Sequence, residues 1–187
     1  MSIFVVDVES DGPAPGLYSM VSFAAVLVEP GFARIFKGYC APIVDKFDPA
    51  ALAVSGHSRQ EHESFEPAQA TMPRFREWVE ANSDGKTVLL SDNPTFDGAF
   101  LSYYLHAYAG GNPFGHSARR IGDFCAGLKG AWGAGSEFKK LRTTPHTHDP
   151  LDDARGNAEA FVALCQAHGV ALPGWPKPAR ASPGARA

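Results

Sequence analysis

Residues 3–8 form an almost unbroken apolar run rich in β-branched side chains, the pattern of a strand buried on both faces. A Gly/Pro-rich loop follows. Residues 20–28 and 34–39 then read as two more strands joined at Glu29-Pro30-Gly31, which predicts an antiparallel meander. Residues 49–54 suggest a turn or two of helix. Residues 72–81 are a better helix, with Pro73 in its first turn and Phe75, Trp78 and Val79 on one side. Residues 87–90 are a fourth strand, and Phe96, Phe100, Tyr103 and Ala107 recur at helical spacing after Asn93-Pro94. A short strand at 119–121 and a short helix at 122–128 follow. Asp149-Pro150 opens a final helix, in which Leu151, Ala154, Ala158, Phe161 and Cys165 share a face as far as about residue 169. Three strands followed by alternating helix and strand predict an α/β sheet carrying helices. Residues 1–170 are expected to form one domain, and the Pro-, Ala- and Arg-rich residues 171–187 a flexible tail.

The 187 residues are 44% hydrophobic and 20% charged, which excludes a wholly disordered chain. No apolar run approaches the roughly 20 residues of a membrane span, and the N-terminus has neither the basic region nor the cleavage site of a secretory leader. Cys40, Cys125 and Cys165 are odd in number and embedded in apolar stretches, as small buried hydrophobes are. A cytoplasmic protein is expected. Net charge is −3, but Lys177, Arg180 and Arg186 lie in the tail, so the remainder carries 14 basic against 20 acidic residues. Such a body has no general affinity for duplex DNA, which is bound through many Lys and Arg contacts to phosphate. Any nucleic acid must be held locally.

Asp7 and Glu9 alternate on the first strand, so both side chains point to one face and can converge on a cation. Taken alone, Asp-x-Glu is a weak motif that reads first as the solvated end of a strand. Asp97 falls in the first turn of a helix, where any acid favours the helix dipole, and Asp152 and Asp153 have the same ordinary explanation. A histidine five residues before Asp153 and outside the helix, His148, is harder to explain by packing. His57, His62, His106, His116 and His168 match no ligand spacing and read as surface or core residues.

Together, Asp7-x-Glu9, the run Asn93-Pro94-Thr95-Phe96-Asp97 and the His148 to Asp153 spacing resemble the three motifs of the DnaQ-like exonuclease superfamily, in its DEDDh branch. Residues 49–57 also resemble the family's segment ending in Thr-Gly-Ile, which extends the resemblance over residues 1 to about 168. It implies a ribonuclease H-like fold: a mixed five-stranded sheet, a three-strand antiparallel meander plus parallel strands, flanked by helices. It implies two divalent cations, Mg²⁺ or Mn²⁺, held about 3.5–4 Å apart. Asp7 would bridge them, Glu9 and Asp153 would hold the ion that carries the attacking water, Asp97 would support the second, and His148 would be the general base. The implied reaction releases nucleoside 5′-monophosphates from a free 3′ end of single-stranded RNA or DNA, with a lean to RNA. A repair or proofreading exonuclease acting on single-stranded DNA is the alternative, and a homodimer is an option.

The family's bulky wedge after the first-motif glycine is missing, since Gly12 is followed by Pro13-Ala14-Pro15-Gly16. Leu17, Tyr18 or Met20 is expected to replace it. Asn93 and Phe96 are expected at the substrate, with Lys139, Lys140 and Arg142, or else Arg119 and Arg120, as phosphate contacts. Two readings compete. His146-x-His148 resembles the ligand pair of zinc hydrolases but has only His168 downstream as a further histidine, and a non-catalytic binding module would commonly lack some of the five family positions present here.

Overall fold

The computed structural model describes residues 1–176. Five strands, β1 (Ser2–Ser10), β2 (Met20–Leu27), β3 (Ile35–Tyr39), β4 (Thr87–Ser91) and β5 (Ala118–Arg120), form one sheet in the order β3-β2-β1-β4-β5. The β1–β2 and β2–β3 pairs are antiparallel, and the β1–β4 and β4–β5 pairs are parallel. This is the expected mixed sheet. Alternation along β1 explains its two packed faces. Phe4, Val6 and Val8 enter one core with Phe75 and Met72 of α3 (Ala68–Ala81) and with Phe100, Leu101 and Tyr104 of α4 (Asp97–Tyr108). Ile3 and Val5 enter the other, with Ile121 and Cys125 of α5 (Ile121–Lys129) and with Ala154, Ala158 and Phe161 of α6 (Pro150–Ala167). Two short helices, α1 (Pro49–Val54) and α2 (Arg59–Glu63), lie between β3 and α3. Cys40, Cys125 and Cys165 are buried free thiols, as expected. Among the described residues no helix is long and apolar enough to cross a membrane.

Several boundaries differ from the periodicity. Strand β1 continues to Ser10, with its register against β2 shifting between Glu9 and Ser10, so both acids belong to the strand instead of marking its end. Helix α3 starts at Ala68 and carries Pro73 internally, where burial of Ala68, Thr71 and Met72 outweighs the lost backbone bond. Helix α2 has little apolar periodicity and is set by a capping box between Ser58 and Glu61. The glycine-rich stretch after Gly130 coils into a 3₁₀ segment over Trp132–Leu141 anchored by the buried Phe138.

The first residues of the expected tail lie on the body. Leu172 and Trp175 pack on the α5/α6 core, the Trp175 ring 5.8 Å from that of Phe32. The rest of that stretch, 177–187, lies outside the described residues. Trp175→Ala is expected to cost about 1–3 kcal/mol, below the full cavity cost because the indole is only partly buried. Chemical denaturation would read this, and an unchanged midpoint would show that the contact contributes nothing.

Candidate active site

The site lies at the carboxyl ends of the adjacent parallel strands β1 and β4, the second of which leads into α4. Residues 3, 5, 7 and 9 share one face of β1. That face is apolar where it meets the body of α6 and acidic where it meets the α6 N-terminus. Asp153, four residues after the N-cap Asp149, is 1% exposed and closes on the strand. One carboxylate oxygen from each of Asp7, Glu9 and Asp153 falls within 4.8 Å of the others. Asp97, 4% exposed, approaches from the start of α4 and accepts the Asn93 amide at 3.3 Å. Asp152 points elsewhere, accepting the Thr147 hydroxyl at 3.0 Å.

So many carboxylates in one place are electrostatically frustrated. Burial, and then the charges of Asp97, Asp153 and Glu9, raise the Asp7 carboxyl well above its ordinary range, with Arg142 pulling the other way. Burial, Asp153, Asp97 and Asp149 push Glu9 up to about 8. Burial raises Asp97 to about 7, against the Ser91 hydroxyl and the amides of Asn93 and Val8. Oxygen donors this crowded are the environment a hard divalent cation requires, and its charge would remove the repulsion.

Between the ordinary carboxylate range, about 4, and about 8, the folded chain holds protons that the unfolded chain releases, so stability falls as pH rises through that window. Without divalent cations the melting temperature is expected to drop from about pH 5 to about pH 8.5, and Mg²⁺ should restore most of the loss at the upper end. A thermal series with and without the ion checks this, and a flat profile would mean that burial and crowding do not raise these acids.

Residues 142–148 form a strap that delivers the histidines, and α6 fastens it. Glu159 accepts the amides of Thr143 and Thr144 at 3.1 and 2.7 Å and the Thr144 hydroxyl at 2.9 Å. Burial pulls the Glu159 carboxyl upward, but these donors outweigh it and hold it below its usual value. The strap passes so near α6 that a Cβ on Gly156 would lie 2.7 Å from the Thr144 carbonyl oxygen. At its end, the amides of Thr147 and His148 both donate to Asp153 at 3.2 Å. They hold His148 in the left-handed region, φ 62°, which costs a non-glycine residue about 1–2 kcal/mol. His148 Nδ1 lies 3.7 Å from Glu9 Oε1, and His146 Nδ1 lies 2.6 Å from Asp153 Oδ2. Gly156, Asn157 and Glu159 were not singled out from the sequence. A Gly-Asn pair inside an apolar-periodic helix is the signal that marks the first two, because neither is a favoured helix former.

The structure corrects two of the expected substrate contacts. Met20 is fully buried in the sheet core and cannot meet a base. Arg142 is not a surface phosphate ligand: its side chain is 10% exposed, 4.0 Å from Asp153, and donates to Asn157. Leu17 is 63% exposed on a loop pinned by Asp11, which accepts the Ser19 amide at 2.5 Å and pairs with Arg59 at 3.1 Å. Tyr18 instead lies on Gly12, where a Cβ would fall 2.0 Å from its ring. Asn93 is exposed, and Phe96 packs 5.0 Å from Phe100. Lys139 pairs with Asp92 at 2.6 Å, while Lys140 is exposed.

No protein-family model matches the chain. It is 42% identical over 171 residues to the 3′-5′ DNA exonuclease Cap18 of Escherichia coli, a match covering 85% of this chain and 89% of Cap18. Its structure is similar to the nuclease domain of 3′hExo bound to rAMP, with TM-score 0.71 at 15% identity over 89% of this chain and 92% of that one. It is also similar to E. coli Exonuclease I in complex with a dT13 oligonucleotide, with TM-score 0.66 at 18% identity over 89% of this chain. This chain spans only 41% of that Exonuclease I chain. At such identities the structural likeness speaks for the fold.

Proposed function

The chain belongs to the DEDDh branch of the DnaQ-like 3′–5′ exonuclease superfamily, and from that premise we propose that it removes nucleoside 5′-monophosphates from the 3′ end of single-stranded DNA. The observation that carries this reading is the approach of the Asp7, Glu9 and Asp153 carboxylates to within 4.8 Å of one another. The preference for DNA rests on the likeness to a DNA exonuclease and replaces the lean to RNA.

Asp7, Glu9 and Asp153 would hold one Mg²⁺ or Mn²⁺ ion, and Asp97 beside Asp7 would help to hold a second. Bound there, the ions would stabilise the attacking and leaving oxygens and lower the pKa of the attacking water. His148 takes the proton. Its Nδ1, 3.7 Å from Glu9, can reach a water held at that carboxylate, and imidazole is the side chain most often used as a general base. The αL backbone and the Asp153 anchor fix the main chain of His148 at the mouth of the site. Leu17, presented outward by the pinned β1–β2 loop, is the residue we assign to the terminal base, and Lys140 and Arg119 are exposed basic side chains that can meet a phosphate.

Digestion of matched single-stranded DNA and RNA oligomers labelled at the 5′ end tests the proposal. A shortening ladder, faster on DNA and abolished by thorough chelation, is expected. Cuts within a circular single strand, or activity surviving chelation, would remove the reading.

A further inference from the structure

We propose that His146, His148 and Asp153 form a second metal site, selective for a zinc-class transition-metal ion, and that filling it switches the nuclease off. Each of the three residues offers one ligand atom within 4.8 Å of the others. This donor set differs in kind from the neighbouring one. Asp7, Glu9 and Asp153 present oxygen alone, which suits hard ions that shed water reluctantly. Two imidazole nitrogens and one carboxylate oxygen suit Zn²⁺ and its neighbours, which bind such sets with a fourth position open to water.

The site is largely assembled. The two imidazole rings stand 4.3 Å apart with their planes at 62°. The backbone beneath them is fixed by the Thr147 and His148 amides on Asp153 and by the Glu159 fastening six residues further along α6. Only side-chain rotation separates this arrangement from a chelate. The side chains of His146 and His148 are 53% and 51% exposed, so an ion can enter from solvent, while Asp153 beneath them is buried. The ordinary alternative is that His146 simply pairs with Asp153 at 2.6 Å. Such a pair leaves His148 uninvolved and gives zinc nothing to hold.

The inhibitory half of the proposal rests on His148 being the general base, and the binding half does not. An ion on the imidazole nitrogen of His148 occupies the lone pair that must accept the proton, and it draws Asp153 away from the all-oxygen set. Because the two sites prefer different ions, inhibition is expected to persist at saturating Mg²⁺.

The test uses the full chain, with Zn²⁺ titrated calorimetrically in saturating Mg²⁺ and hydrolysis followed in the same buffer. The wild type should bind one Zn²⁺ ion, with half-inhibition at the zinc concentration where the site half fills. His146→Gln, which lies outside the proposed catalytic set, should keep Mg²⁺-driven turnover within about threefold while losing zinc affinity by about 10- to 100-fold, the scale on which disturbing a metal site acts. His148→Gln should lose zinc affinity to a similar extent. Zinc affinity unchanged in either variant overturns the site, whatever the turnover. Zinc binding that needs both histidines in a protein that never hydrolyses DNA would leave the site standing and remove the proposed function instead.

Discussion

Asp153→Asn is expected to abolish hydrolysis, while Asp152→Asn keeps most of it. Consecutive helical residues point about 100° apart, so the two acids cannot serve one ion equally. Asp153 is 1% exposed and faces Asp7 and Glu9, whereas Asp152 is spent on the Thr147 hydroxyl. Replacing the Asp153 carboxylate with an amide removes one of the charges that would hold the nucleophile's ion and leaves the shape unchanged. Folding should survive. The amide can still accept one of the two strap amides, and relief of repulsion with Asp7 and Glu9 offsets the bond that is lost. The net change should stay within about 1 kcal/mol, or about 2–4 °C in melting temperature. Steady-state turnover and a melt on both variants decide the point. An inactive Asp152→Asn beside an active Asp153→Asn would shift the third motif by one residue and withdraw His148 as the base.

His148→Ala should lower kcat by about 10² to 10⁴, the usual contribution of a positioned general base, or about 3–5 kcal/mol of transition-state stabilisation. Stability should hardly change, because the side chain is half exposed and the backbone bonds to Asp153 remain. His146→Ala should cost far less. Its contact with Asp153 answers the unbalanced charge of the acid cluster, and a cation held by Asp153 would replace that partner. Equal losses at the two histidines, or a larger loss at His146, would reassign the base.

The two main cores were legible in the sequence because each depends on short-range periodicity. Alternation along β1 sends Phe4, Val6 and Val8 one way and Ile3 and Val5 the other, and the 3.6-residue period of α6 aligns Ala154, Ala158 and Phe161. The family spacing from His148 likewise selected Asp153 over Asp152, since it counts residues along a single helix start. Helix α2 and the 3₁₀ segment were not legible as helices: one is polar nearly all round, and the other is interrupted by glycine and anchored chiefly by Phe138.

The sequence by itself determined the strand order of chemistry, with Asp7 and Glu9 on one face of β1, an acid opening α4, and a histidine just ahead of α6, because period and capping are properties of neighbouring residues. Only the tertiary structure decided which charged and apolar side chains were free to act. Met20 and Arg142 look available in a one-dimensional reading, yet one is buried in the sheet core and the other is sealed against Asn157 and Asp153. The close pass of the strap over Gly156, and with it the placing of His146 and His148 above Asp153, depends on contacts between segments separated by a turn and a helix start. Burial and charge pairing are set by what the rest of the chain brings alongside, and no local pattern in residues 142–148 records that.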